Sequence, residues 1–281
     1  MAMDHLIQNK HTLVIEAGKT ELHYWRDLWH FRELLYFLAW RDVIVRYKQT
    51  VIGIAWALVR PFMTMIVFTV VFGKLAKMPS DNVPYPILVF VGLLPWQFFA
   101  GAFSDAANSL ISNSNLISKI YFPRLLVPAS AIVVNLVDFL ISLSILIALI
   151  VWYKFIPDWR VIVLPFFIFW VALLALGSGL FVAALNVKFR DFRYILPFIV
   201  QFGLYISPVG FVSSVIPEKW RLFYYLNPMA GVIDGFRWAV LGNRFEIYVP
   251  GMACSAFISL CFCYFGIKYF RSTEKTFVDV L

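Results

Sequence analysis

The feature that most constrains this chain is a repeated one: apolar runs of roughly 20 residues recur from residue 54 nearly to the end. One of them, ASAIVVNLVDFLISLSILIALIVWY (129–153), carries a single charge, Asp138. A helix rises about 1.5 Å per residue, so about 20 apolar residues cross a hydrocarbon layer about 30 Å thick. Strands of a membrane barrel are about half that length and alternate polar with apolar residues. Composition agrees with spanning helices. Of 281 residues, 62% are hydrophobic and 14% charged, against about 45–50% apolar and about 25% charged in soluble domains. The expected fold class is an all-α integral membrane protein.

Six spans are expected, at about 54–76, 85–108, 129–153, 161–186, 194–213 and 248–270. Upstream, residues 28–50 (LWHFRELLYFLAWRDVIVRYKQT) mix aromatic and charged residues. Phe31, Leu34, Leu35 and Leu38 follow the spacing of one apolar helical face. Asp42 and Arg46 stand at the spacing of an ion pair, and Arg41 and Lys48 share a face. This predicts an amphipathic helix lying in the interface. Residues 214–247 are apolar pieces broken by Pro217, Pro228, Gly231, Gly235 and Gly242. They are too interrupted for a span, and re-entrant or partly inserted helices are expected.

Basic residues set the orientation. With the N-terminus inside, sixteen Lys and Arg fall on the cytoplasmic side and eight on the other, which favours two cytoplasmic termini. Residues 1–27 then form a cytoplasmic segment, with no apolar core of a cleaved signal peptide, and 271–281 a cytoplasmic tail. The net charge of +8 fits loop charges and does not call for nucleic acid.

Several chemistries lack their residues. EAGKT (16–20) resembles the end of a phosphate-binding loop, but Leu13 stands where GxxxxGK[ST] needs its first glycine. No nucleotide site is expected, and no bound cofactor. Cys254, Cys261 and Cys263 lie in the last run, whereas His5, His11, His23 and His30 lie near the other end. Buried, inert thiols are expected rather than a metal site. Asp105 and Asp138 are intramembrane carboxylates, open to a proton relay or to structural hydrogen bonding, with Asn135 a possible partner for Asp138. No acid–base set accompanies them.

Tyr194, Phe198, Phe202 and Tyr205 recur at steps of four, four and three, with Gln201 beside them. Met65, Phe68 and Phe72 form a shorter stripe in the first span. Two readings stand: packing or lipid contact, or a translocation surface on which sugar rings slide through dispersion and CH–π contacts. Ala175, Gly179 and Ala183 form a small-residue ridge for helix packing. The two cytoplasmic connections are NLISKIYFPRLLVPAS (115–130) and LNVKFRDFRYILPF (185–198). In the second, Lys188, Arg190, Asp191 and Arg193 serve either as topology charges or as a docking helix.

Six stretches carry a resemblance: WRDVIVRYKQTVIGIAWALVRP (40–61), GLLPWQFF (92–99), NLISKIYFPRLLVP (115–128), LNVKFRDFRYILPF (185–198), NPMAGVIDGFRWAVLG (227–242) and EKTFVDVL (274–281). Along nearly its whole length the chain resembles the permease subunit of ABC-2 type polysaccharide exporters, especially those for O-antigen and capsule. The resemblance implies a homodimer in the bacterial inner membrane joined to two copies of a separate ATPase, which binds ATP and Mg. It implies a gate helix at 28–50, periplasmic gate helices before the last span, and a coupling helix in the first cytoplasmic loop. There Asn115 would cap a short helix, Leu116, Ile117 and Ile120 would give its apolar face, and Pro123 would stop it. Lys119 and Arg124, flanking Tyr121 and Phe122, would meet acidic or polar groups of the ATPase. Arg41, Arg46 and Lys48 would attract the pyrophosphate of an undecaprenyl-linked polysaccharide, in contact with membrane lipid. The first and fifth spans would line the path. O-antigen is the expected cargo, with capsule or teichoic acid as alternatives. From other classes, a gradient-driven transporter and a membrane-embedded glycan transferase remain open.

Overall fold

The computed structural model describes residues 24–48, 53–80, 83–189, 191–274 and 277. Arg190, EAGKT and nearly all of the 1–27 and 275–281 segments lie outside the described residues. Every regular element among those described is helical.

Helices α1 (Tyr24–His30) and α2 (Arg32–Lys48) replace the single amphipathic helix expected at 28–50, because the chain breaks at Phe31. The inner face is the expected one: Leu38 is buried, and Phe31, Leu34 and Leu35 pack beside it. Asp42, however, pairs with Arg41 at 2.7 Å rather than with Arg46.

Helix α3 (Gly53–Phe68) runs on as a wide π-helical segment, Thr69–Leu75, which ends with Ala76 N donating to Val71 O at 2.9 Å. Then come α4 (Tyr85–Ser112), the short α5 (Ser114–Lys119), α6 (Leu126–Trp152) and α7 (Leu164–Lys188). After these stand α8 (Phe192–Ile206), α9 (Glu218–Tyr224), α10 (Pro228–Leu241) and α11 (Val249–Thr273). Proline stands in the first turn of α4, α7, α10 and α11. Its fixed φ suits that turn, and its missing N–H costs nothing there.

Helix α4 is the axis of the fold, packed against α6, α7 and α10 and buried along most of its length. The Ala175–Gly179–Ala183 ridge of α7 is buried, with Gly179 against Ala106 of α4. On another side of α7, a Cβ on Gly177 would strike the backbone of Cys263 in α11, and a Cβ on Gly266 the backbone of Gly177. Trp170 Nε1 donates to Ser259 Oγ at 2.8 Å across the same pair. The three cysteines are free thiols, half-buried rather than fully buried as expected.

Among the described residues five segments are long and apolar enough to cross a membrane: Ala55–Leu75, Tyr85–Ser112, Leu126–Trp152, Trp159–Lys188 and Val249–Thr273. The expected fifth span, 194–213, departs from prediction. Its helix, α8, has 15 residues, a rise of about 22 Å against a layer about 30 Å thick. Ser207 is extended and Pro208 and Gly210 follow, so the helix stops at Ile206. Beyond it, α10 is buried on nearly all sides, against α4, α7 and α11.

Candidate functional site

The charged and aromatic residues that sequence singles out gather around α5, along α2 and in one exposed row on α8. The start of α5 departs from expectation: Asn113, not Asn115, occupies the cap position. The Asn113 side chain is engaged elsewhere, accepting from Arg41 Nη2 at 2.8 Å and donating to Ser109 O at 3.0 Å. The end departs too, since Ile120 is already extended (φ −127°, ψ 135°), three residues before Pro123. Ile117 is buried and Leu116 packs on the same cluster, whereas Ile120 and Tyr121 face outward. The exposed surface is therefore Asn115, Ser118, Lys119, Ile120 and Tyr121, with Phe122 buried as its anchor.

Arg124 does not join that surface. Its backbone N–H donates to Glu274 Oε1 at 3.0 Å and its guanidinium donates to the Glu274 carbonyl. Phe277 packs on Phe270 beneath it. Arg271 lies over the ring of Tyr24, 4.6 Å from its centroid. Helix α1, the loop before α6 and the end of α11 are thus stapled together. Burial pushes the Glu274 carboxyl up from its usual range, against the lowering influence of Arg124 and Arg271. Burial also raises the Tyr24 hydroxyl, with Glu274 adding to the effect.

In the second connection Lys188, Asp191 and Arg193 are exposed, with Lys188 Nζ over Phe189 at 5.2 Å from its centroid. Asp191 precedes α8 without capping it through its side chain.

Helix α2 brings its basic residues to different ends. Arg46 Nη2 donates to Asp105 Oδ2 at 2.6 Å, and Nη1 pairs with Asp138. Tyr47 donates to Asp138, and Asn135 Nδ2 donates to Asp105 Oδ2 at 2.8 Å. Asn135 therefore partners Asp105 rather than Asp138, and both carboxylates are held by neighbours. Arg41 is taken by Asp42 and Asn113. Among the described residues Lys48 has no such partner.

On α8 the aromatic row is turned outward: Tyr194 is 81% exposed, Phe198 61%, Phe202 55% and Tyr205 59%. Gln201 is exposed beside it. Phe198 and Phe202 lie 4.9 Å apart, centroid to centroid. The first-span stripe meets this row at one point, where Phe68 stacks on Tyr205 at 6.4 Å. Met65 and Phe68 are themselves buried, at 4% and 6%, and Phe72 packs on Phe68 at 5.3 Å. The short stripe thus packs into the core of the chain, and the long one faces out of it.

Comparison with known proteins decides the family. The family described as ABC-2 type transporter matches residues 33–241, a stretch that begins in α2 and ends with α10. The chain belongs to the ABC-2 type transporter family. It is 28% identical over 257 residues to the O-antigen export system permease protein RfbA of Myxococcus xanthus, covering 90% of this chain and 97% of that one. An RfbA of Klebsiella pneumoniae is 25% identical over 265 residues, covering 91% and 97%. The polysialic acid transport protein KpsM of Escherichia coli is 23% identical over 242 residues, covering 84% and 91%.

In this ABC-2 permease a second charged cluster went unnoticed in the sequence beyond a loop charge. Arg237 of α10 is completely buried. It donates to Val209 O at 2.9 Å and Phe211 O at 2.8 Å, in the non-helical stretch after α8. Tyr85 Oη donates to Gly210 O at 2.6 Å and Tyr224 Oη to Ile206 O at 2.8 Å. Asp234, also buried, accepts from Tyr225 Oη at 2.5 Å and stands 3.9 Å from Arg237. Backbone carbonyls freed by a broken helix must find donors away from water. Here four of them are served by two tyrosines and one arginine. Asp234 and Arg237, three apart in a glycine-broken apolar stretch, were the available signal. Asn113 and Glu274 had none, since their partners are 72 and 150 residues away.

Proposed function

We propose that the chain is the membrane subunit of an exporter that carries undecaprenyl-pyrophosphate-linked O-antigen across the bacterial inner membrane. A separate ATPase supplies the energy, two copies of each subunit form the working unit, and both termini lie in the cytoplasm. The observation that carries this reading is the outward aromatic row on α8. Apart from the stacking of Tyr205 on Phe68, its rings face out of this chain, and they provide a flat, weakly binding surface for sugar rings. Relatives matched over 90% of the chain are named as O-antigen permeases. The polysialic acid relatives favour a second reading in which the cargo is a capsule polymer.

Helix α8, with the broken stretch and α9 and α10, takes the place of a sixth crossing. Helices α9 and α10 dip into the membrane from the periplasmic side, where Arg237 and the tyrosines make the break tolerable. Lys119, Tyr121 and their neighbours dock on the ATPase, with Lys188, Arg190, Asp191 and Arg193 as a smaller contact. Arg124 supports that surface through Glu274 instead of touching the partner. The pyrophosphate head falls to Lys48, since Arg41 and Arg46 are already engaged. The test is export of polymer in cells lacking the native permease but supplied with the ATPase. Restored surface polymer supports the reading, and intracellular accumulation despite a membrane-inserted complex overturns it.

A further inference from the structure

Helix α2 packs on α6 and buries Leu38 and Ala39, and two of its basic residues grip different elements. Arg41 holds Asn113, the residue between the end of α4 and the start of α5. Asn113 serves three elements at once. Its Nδ2 donates to Ser109 O in the last turn of α4. Its own carbonyl accepts from Leu116 N and Ile117 N at 3.0 and 3.1 Å, opening α5. Its Oδ1 accepts from α2. The backbone there, at φ −111° and ψ 23°, is where the helical path bends.

Five residues further along α2, Arg46 bridges Asp105 of α4 and Asp138 of α6, with Tyr47 also on Asp138. Leu38 and Ala39 are buried against the fold, while Tyr36, Phe37 and Trp40 face outward. A helix is stiff over this length, and a tilt of α5 about Asn113 therefore pulls on one end of a lever pinned at Arg46.

We propose that Asn113 is the joint that passes movement of α5 to α2, with Arg46 between Asp105 and Asp138 as the pivot. Arg41 and Asn113 are positioning residues in this scheme: neither touches cargo or nucleotide. The device rests on the reading of α5 as an ATPase docking element. It gives the push on the exposed face of α5 a directed polar route, the Arg41–Asn113 hydrogen bond beside the apolar cluster that Ile117 and Leu38 share, to the amphipathic helix beside the cytoplasmic mouth.

The test uses the full complex of this chain with its ATPase in proteoliposomes, measuring ATP hydrolysed and polymer exported. Asn113→Ala and Arg41→Gln each leave hydrolysis within about twofold and lower export per ATP by about 10-fold. The double variant is no worse than either single one, because both remove the same bond. Asn113→Asp keeps the acceptor and restores the ratio. Two separate partners are altered, so a folding failure in one leaves the other to report. Export per ATP unchanged in both singles, or additive losses in the double, would overturn the joint. A parallel fall of hydrolysis and export would also overturn it, by making the bond merely structural. An unmodified complex that hydrolyses ATP without exporting polymer would instead strike down the exporter reading, and the joint with it.

Discussion

At the residue scale, the chain spends buried charge where its backbone is broken. Arg237 stabilises carbonyls that no helix satisfies, and Asp234 offsets its charge. Removing one partner of such a set leaves the other uncompensated, which costs about 3–5 kcal/mol. Arg237→Ala should therefore lower the unfolding midpoint of detergent-solubilised protein sharply and reduce the amount inserted. Arg237→Lys, with one compact ammonium, should recover only part of the loss. Thermal unfolding followed by size-exclusion chromatography measures both. Glu274 gives a prediction in pH. Burial raises its carboxyl above the ordinary value of 4.5, so the folded state holds the proton more tightly than the unfolded one. Its contribution is full below about 4.5 and declines as pH rises through the folded value. Glu274→Gln keeps an acceptor for Arg124 N–H and should flatten the fall in thermal stability above that pH. A pH profile identical to that of the unaltered chain would remove Glu274 as its source.

Elements were legible in the sequence to the extent that a single local signal decides them. Apolar run length alone anticipated five helices long and apolar enough to cross a membrane, and the 28–50 pattern gave the inner face of α2. The fifth run failed because length was counted across Pro208 and Gly210, where the helix has already ended. Two local ion-pair and cap assignments failed for one physical reason. Arg46, Asn113 and Asn135 had several partners within reach, and tertiary packing brought them distant ones. The aromatic row was readable as a face, but its outward direction was not, since spacing does not say what a face meets. Substituting exposed side chains of this kind changes stability by about 0.5 kcal/mol or less. Phe198→Ala with Phe202→Ala should therefore leave expression and melting unchanged while slowing export of long polymers several-fold. Polymer length at the cell surface reads this out, and an unchanged length distribution would reduce the row to lipid contact. On α5, Lys119→Glu should uncouple hydrolysis from export without loss of the inserted protein. Normal export by that variant would move the docking surface elsewhere.

At the scale of the whole molecule, the fold divides its labour. A central α4, buried against α6, α7 and α10, is the fixed frame. Around it the α1–α2 arm, the α5 corner and the α11 tail share one apolar cluster, to which a few polar contacts are added. Sequence made the energy source legible by what it lacked: a permease without a phosphate-binding loop must draw on a partner or a gradient. Membership of the ABC-2 type transporter family argues for the partner, and Asp105 and Asp138 both pair with Arg46. The most direct measurement is translocation of lipid-linked polysaccharide into sealed vesicles that hold this chain and its ATPase. The account predicts uptake that requires ATP, stops with a hydrolysis-dead ATPase and persists when the ion gradients are collapsed. Uptake that continues with the dead ATPase and disappears with the gradients would contradict it.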